Sequence, residues 1–151
     1  MAAPKGNRFW EARSKHGRDK IFSDKDVLWK ASLEYFEWVE DNPLREDKPF
    51  NYQGLVVPNT VNKMRAMTLD GLWLFLDIGH TTWYRYKDDN DFEETITKIE
   101  NVIKSQKFAG AAADLLNANI IARDLGLADK KELQGKDGQP LIPTAIKIIH
   151  E

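Results

Sequence analysis

The chain has 151 residues, 42% hydrophobic and 30% charged, with a net charge of −2, which bounds it to one ordinary domain or a small domain plus an assembly element. It has no cysteine, so disulfides, thiolate metal sites and a cysteine nucleophile are excluded. No apolar run reaches the ~20 residues a membrane helix requires, and the opening MAAPKGNRFW lacks the apolar stretch of a secretory signal; a soluble intracellular protein with no membrane partner is expected.

The near-neutral total hides a segregation of charge. Residues 1–20 carry Lys5, Arg8, Arg13, Lys15, Arg18 and Lys20 against Glu11 and Asp19, a balance of +4. Residues 21–60 come to −4, 61–87 to +2 and 88–104 to −4. Such an order can present a basic face on an acidic protein.

Residues 1–20 are polar, hold Gly6 and Gly17, and read as an arm. A helix is expected from Ser23, whose hydroxyl can take an orphan N–H while Asp26 sits three residues on. Val27, Ala31, Tyr35 and Trp38 follow at helical spacing, with Leu28 and Val39 beside them. Asn42-Pro43 stops it, because a residue before proline avoids the α region. Residues 48–67 read as a protruding β-hairpin: Phe50, Tyr52, Leu55, Val56 and Val57 favour strands, Gly54 and Pro58-Asn59 mark turns, and Val61 opens a second run.

The stretch 68–87, TLDGLWLFLDIGHTTWYRYK, gives a helix capped by Thr68, a break at Ile78-Gly79, and a second short helix from His80 with Trp83 and Tyr86 inward. Helix, tight turn, helix is the pattern of a helix-turn-helix, whose second helix enters the major groove. Trp73 stands where such units keep a small residue, and Asp77 where they keep glycine. His80, Thr81, Arg85 and Lys87 on the second helix, with the six cations of the arm, are the candidate DNA contacts.

Residues 91–127 read as long helices. Phe92, Ile96, Ile99 and Ile103 make one apolar stripe, and Leu115, Leu116, Ile120 and Ile121 another, with Ala109-Gly110-Ala111-Ala112-Ala113 between them. Small side chains allow close helix contact, a bend is expected near 106–110, and Gly126 suits a left-handed C′ position. More stripe than one small domain can cover points to association of copies, with Ile96, Ile99, Ile103, Ala109, Gly110, Ala112, Leu116 and Ile120 as candidate oligomerisation residues. After Gly135, Gly138 and Pro140, the β-branched run from Leu141 to Ile149 reads as a strand that needs a partner: the hairpin, another protein, or its own copies in a closed barrel.

His16, His80 and His150 are far apart, GKDGQ at 135–139 lacks the phosphate-loop frame, and no G-x-S-x-G occurs. The cluster Asp88, Asp89, Asp91, Glu93 and Glu94 reads as a solvated helix start favoured by the helix dipole. No catalytic set, metal site or cofactor is expected, and the chain reads as a non-enzyme.

The segments APKGNRFWEARSKHGR, EYFEWVEDNPL, KMRAMTLDGLWLFLDI and QKFAGAAADLLNANIIARDLGL closely resemble the small terminase subunit of podovirus-type tailed phages. The resemblance covers roughly residues 1–127. It implies a mostly helical protomer in a ring, often nonameric, working in the host bacterial cytoplasm. That ring would recognise the packaging start on viral double-stranded DNA, deliver the DNA to the large terminase subunit, and regulate that subunit's ATPase and nuclease. By position, 91–125 would build the ring, and Leu141, Ile142, Ile146 and Ile148 of the tail would serve a central barrel or docking to the large subunit. One departure is that the last 24 residues balance four basic against four acidic side chains, where the family branch carries a basic tail. The arm with Arg85 and Lys87 is therefore the better DNA candidate.

The expected fold is mainly α: a helical protomer with a helix-turn-helix-like unit, a protruding β-hairpin and a C-terminal strand that joins an oligomeric β-barrel in a ring assembly. Residues 1–90 form the DNA-binding-type region with hairpin 48–67, 91–127 the oligomerisation region, and 128–151 a linker and strand. The alternative function is a helix-turn-helix transcriptional regulator, which would be a dimer on a palindrome.

Overall fold

The computed structural model describes residues 7–14, 22–128 and 136–138. It is mainly α, and its elements in order are α1 (Lys25–Asp41), β1 (Leu44–Tyr52), β2 (Leu55–Lys63), α2 (Leu69–Leu76), α3 (His80–Lys87), α4 (Glu93–Ala112) and α5 (Ala118–Asp124), with 3₁₀ turns at Phe9–Glu11 and Lys136–Gly138.

Helix α1 starts one residue later than Ser23 allows. The Asp24 carboxylate accepts from Val27 N–H at 2.9 Å, and an anion at a helix start gains from the dipole as well as the cap. Leu28, Ala31, Ser32, Tyr35, Phe36 and Val39 form its buried face, and the Ser32 hydroxyl is satisfied by donating to Leu28 O at 2.9 Å. Trp38 stays at the margin, under the guanidinium of Arg65 at 4.9 Å.

The hairpin runs from 44 to 63 rather than 48 to 67. Its strands pair from Leu44↔Lys63 to Tyr52↔Leu55 around Gln53-Gly54, both at positive φ, as a two-residue turn of matching twist demands. Pro58, read as a turn, lies in the ladder opposite Pro49. Neither proline has an N–H to give, so theirs is a non-hydrogen-bonded pair with both nitrogens turned to the outer edges. Residues 64–67 return to the core instead, where Arg65 and Met67 are buried. Residues 47–60 are all exposed, so the hairpin protrudes as expected.

Helices α2, α4 and α5 end alike. Asp77, Asp114 and Gly126 have φ of 58°, 58° and 71°, and the next residue's N–H reaches back to Trp73 O, Gly110 O and Ala122 O respectively. This is the Schellman geometry; Gly126 met expectation, while two aspartates fill the place usually given to glycine. The chain therefore leaves the helix after the 106–110 stretch, which lies within the continuous α4. Helix α4 runs on to Ala112, and the chain reverses at 113–117. The Asn117 side chain caps α5 by accepting from Ile120 N–H at 3.1 Å.

Gly110 makes that reversal compact. A Cβ there would lie 2.7 Å from Leu116 Cδ1 and 2.8 Å from Met64 Sδ. Close contact at the small-residue stretch is thus made inside the protomer at Gly110, whereas Ala109 and Ala112 are exposed.

Most consequential is the stripe of α4. Ile96, Ile99 and Ile103 are at most 1% exposed and belong to the core with Leu28, Leu72, Leu76 and Trp83. These three are covered by α1 and α3 and are not an outer face, which corrects their expected place at an interface between copies. Within 93–127 the large apolar side chains left outside are Phe108, Leu115, Ile120 and Leu127.

Replacing Ile99 by Ala should therefore cost about 2–5 kcal/mol of protomer stability through the cavity it leaves, and Gly110→Ala about 1–3 kcal/mol through overpacking. Denaturant unfolding with sedimentation alongside checks this. A changed mass at unchanged stability in Ile99→Ala would return the stripe to an interface.

Candidate nucleic-acid interface

The α2–α3 unit is positioned from below by α1 and α4. Thr68 caps α2 by accepting from Gly71 N–H at 2.9 Å, and the Tyr35 hydroxyl accepts from Thr68 N–H at 3.1 Å. A Cβ on Gly71 would sit 2.6 Å from that hydroxyl, so glycine permits the close approach of α2 to α1. Burial raises the Tyr35 phenol above its ordinary pKa, the Thr68 hydrogen bonds opposing.

Between the two helices the turn 77–79 is three residues long, and Gly79 precedes α3 without a side-chain cap. Trp73 fills the angle, with its ring centroid 6.3 Å from those of His80, Trp83 and Tyr84. A wedge this large occupies what is usually a close crossing. Its indole Nε1 is buried without a hydrogen-bond partner among the described residues, a cost of about 1–3 kcal/mol that the ring packing must offset.

Helix α3 divides cleanly. Trp83 and Tyr86 are buried. The Trp83 indole donates to Glu100 of α4 at 3.3 Å, and the Tyr86 hydroxyl accepts from Phe22 N–H at 2.8 Å. His80, Thr81, Tyr84 and Arg85 are exposed at helical spacings of one face. Of the four positions expected on this helix, His80, Thr81 and Arg85 are thus brought together, and Tyr84 joins them, an aromatic the sequence reading passed over although its spacing from Thr81 and Arg85 was visible.

Lys87 stays near Tyr84, its ammonium 6.0 Å from that ring's centroid, but it is engaged. Its ammonium lies 3.0 Å from Glu100 Oε2 and is held on the α4 side, where the same carboxylate takes the Trp83 indole. Arg85 forms no ion pair among the described residues. Its surroundings are acidic, since Asp77, Asp88 and Asp89 are exposed close by in the chain. The acidic start of α4 is a turn: the Asp89 carboxylate accepts from Asp91 N–H at 3.0 Å. Among the described residues no group of three His, Asp or Glu side chains is arranged to hold a metal ion, and no helix is long and apolar enough to cross a membrane.

Of the arm, Arg8 and Arg13 are described. Arg8 pairs with Glu11 at 3.3 Å, and Arg13 donates to Trp10 O at 2.7 Å; both are exposed. Lys5, Lys15, Arg18 and Lys20 lie outside the described residues, as do Leu141, Ile142, Ile146 and Ile148 of the tail. Two other cations prove structural. Arg65 is buried and donates from Nε to Asn42 O at 2.7 Å, and Lys63 pairs with Glu46 at the hairpin root, holding that carboxyl below its ordinary pKa.

Glu100→Ala should thus lower stability by about 1–3 kcal/mol, because it leaves the buried Trp83 indole unpaired. Arg85→Ala should stay within about 0.5 kcal/mol, as an exposed change away from such features does. Thermal unfolding of both variants checks the contrast.

Residues 17–133 match the family described as DNA-packaging protein gp3. The chain is 59% identical over 134 residues to a protein named "Terminase, small subunit" of Salmonella phage P22, an alignment covering 89% of this chain and 83% of that protein.

Proposed function

We propose that this chain, which belongs to the DNA-packaging protein gp3 family, works as the small subunit of a viral terminase: it binds viral double-stranded DNA at the packaging start and presents it to the large subunit, whose ATPase and nuclease it regulates. The observation that carries this is the outward face of α3, where His80, Thr81, Tyr84 and Arg85 are left out of the core. At 1.5 Å per residue the eight-residue helix is roughly 12 Å long, and the major groove is roughly 12 Å wide.

That face is poor in positive charge, so phosphate contacts would come from the arm, with Arg8, Arg13 and Arg18 positioning and the α3 residues reading bases. A few such contacts bind only at ~10⁻⁴ to 10⁻⁶ M, and repetition around a ring multiplies them. Exposed Phe108, Leu115, Ile120 and Leu127 on and around α5 supply apolar surface for that ring, which we take to be nonameric. The tail run with Leu141, Ile142, Ile146 and Ile148 would complete a barrel or dock on the large subunit.

Sedimentation of the wild type should give a closed ring; a dimer would favour a transcriptional regulator. In salt-titrated binding, changing Arg8, Arg13 and Arg18 together to Ala should weaken all sequences alike and reduce the salt slope by about 2 to 3. Arg85→Ala should alter preference between sequences, and unchanged binding in both variants places the DNA contact elsewhere. Glu100→Gln, which keeps an acceptor for Trp83 but releases Lys87, should tighten non-specific binding at low salt.

A further inference from the structure

The hairpin carries apolar side chains that cover nothing among the described residues of their own protomer. Pairing of Phe50 with Val57 and Tyr52 with Leu55 puts these four on one face of the tip, since residues two apart in a strand share a face. They are 44–70% exposed. From Pro49 to Pro58 the tip holds no charged residue, while the charges of that same face, Glu46, Lys48 and Lys63, pair among themselves at the root. A patch of several large side chains on a protruding element marks an interaction surface. It does not act by strand addition: the outward nitrogens of Pro49 and Pro58 interrupt the row of donors on both edges at the same level.

At the root of the hairpin lies a cleft of about 500 Å³ between α1 and α2, lined by Phe9, Trp38, Leu44, Leu74 and Phe75 among others. Two of its lining residues are charged. Arg65 is engaged with the Asn42 carbonyl and the Trp38 ring, and Asp70 is exposed, an acceptor of the kind a tyrosine hydroxyl seeks when covered. The tip cannot fill the cleft of its own chain. Leu44 lines the cleft, and eight strand rises of ~3.3 Å put Tyr52 roughly 26 Å from it. Among the described residues, each copy thus shows an uncovered apolar tip and an unfilled apolar cleft too far apart to meet.

We propose that the apolar face of the hairpin tip seats in the α1–α2 cleft of a second copy of this chain. Tip to cleft is a heterologous contact, which closes into a ring or runs on as a filament, and it deepens the proposed function by resting on the reading that the chain assembles. The occupant is a second copy because an uncharged tip bearing a tyrosine matches a mainly apolar cleft with the Asp70 carboxylate at its edge as acceptor, and every copy supplies both.

The absence of native cysteine gives a direct test. A disulfide requires Cα atoms within about 7 Å, so Leu55→Cys on the tip and Leu74→Cys in the cleft link only where these residues touch. Under mild oxidation a mixture of the two single variants should give linked dimers that neither gives alone, and the double variant should give a ladder; Tyr52→Cys with Phe9→Cys is a second pair against an unfavourable thiol geometry. Sedimentation of the wild type runs alongside. If the wild type assembles but neither pair links, if Leu55→Cys links tip to tip, or if it links to the large subunit, the proposal is overturned while assembly stands. A monomeric wild type overturns both.

Discussion

The fold depends on covering one stripe of α4. Ile96, Ile99 and Ile103, with Phe92 at the helix start, are packed beneath α1 and α3, and burial of such side chains is worth roughly 1.5–3 kcal/mol each. No short helix of this chain could stand alone in water. Helices α2 and α3, of eight residues each, exist because α4 and α1 offer them an apolar floor. The position of α3, and with it the face bearing His80, Thr81, Tyr84 and Arg85, is set by that floor.

Polar groups then fix what apolar packing leaves free. The Gln106 side chain of α4 accepts from Met67 N–H at 3.0 Å and donates to Arg65 O at 2.9 Å, so an irregular segment is held as a neighbouring strand would hold it. Arg65 in turn closes the end of α1 through the Asn42 carbonyl. Glu100 ties α3 to α4 through both Trp83 and Lys87. Lys107, buried on α4, does the same for α5 through Asp124. These bonds draw on the chain's cations: Arg65, Lys87 and Lys107 serve the protomer, which leaves Arg85 with little positive company on the α3 face.

Surface and core are thereby separated in an unusual way for a small protein. The hairpin and the outer sides of α4 and α5 gain almost nothing from the protomer, and an isolated hairpin is marginal in water. Elements of this kind gain stability in company, which is the physical ground of the contacts proposed above.

The sequence by itself determined the helices, the hairpin, the helix-turn-helix-like pair and the family. Each rests on a local signal: apolar spacing in 25–41 and 93–112, the Asn42-Pro43 stop, the Thr68 cap, and the long matching segments. It could not place Asp24 over Ser23, since both satisfy capping chemistry, nor see that Pro58 continues a strand, since its tolerance there depends on the residue opposite. The left-handed turns at Asp77 and Asp114 were hidden because aspartate only tolerates what glycine prefers. Only the tertiary structure decided which apolar stripe faces inward. Periodicity marks a face but not what covers it, so the isoleucines expected between copies lie inside one. It also decided the fate of each cation, because a lysine's partner is chosen by neighbours in space: Lys87 by Glu100, thirteen residues away in the chain, and Arg65 by a carbonyl twenty-three away.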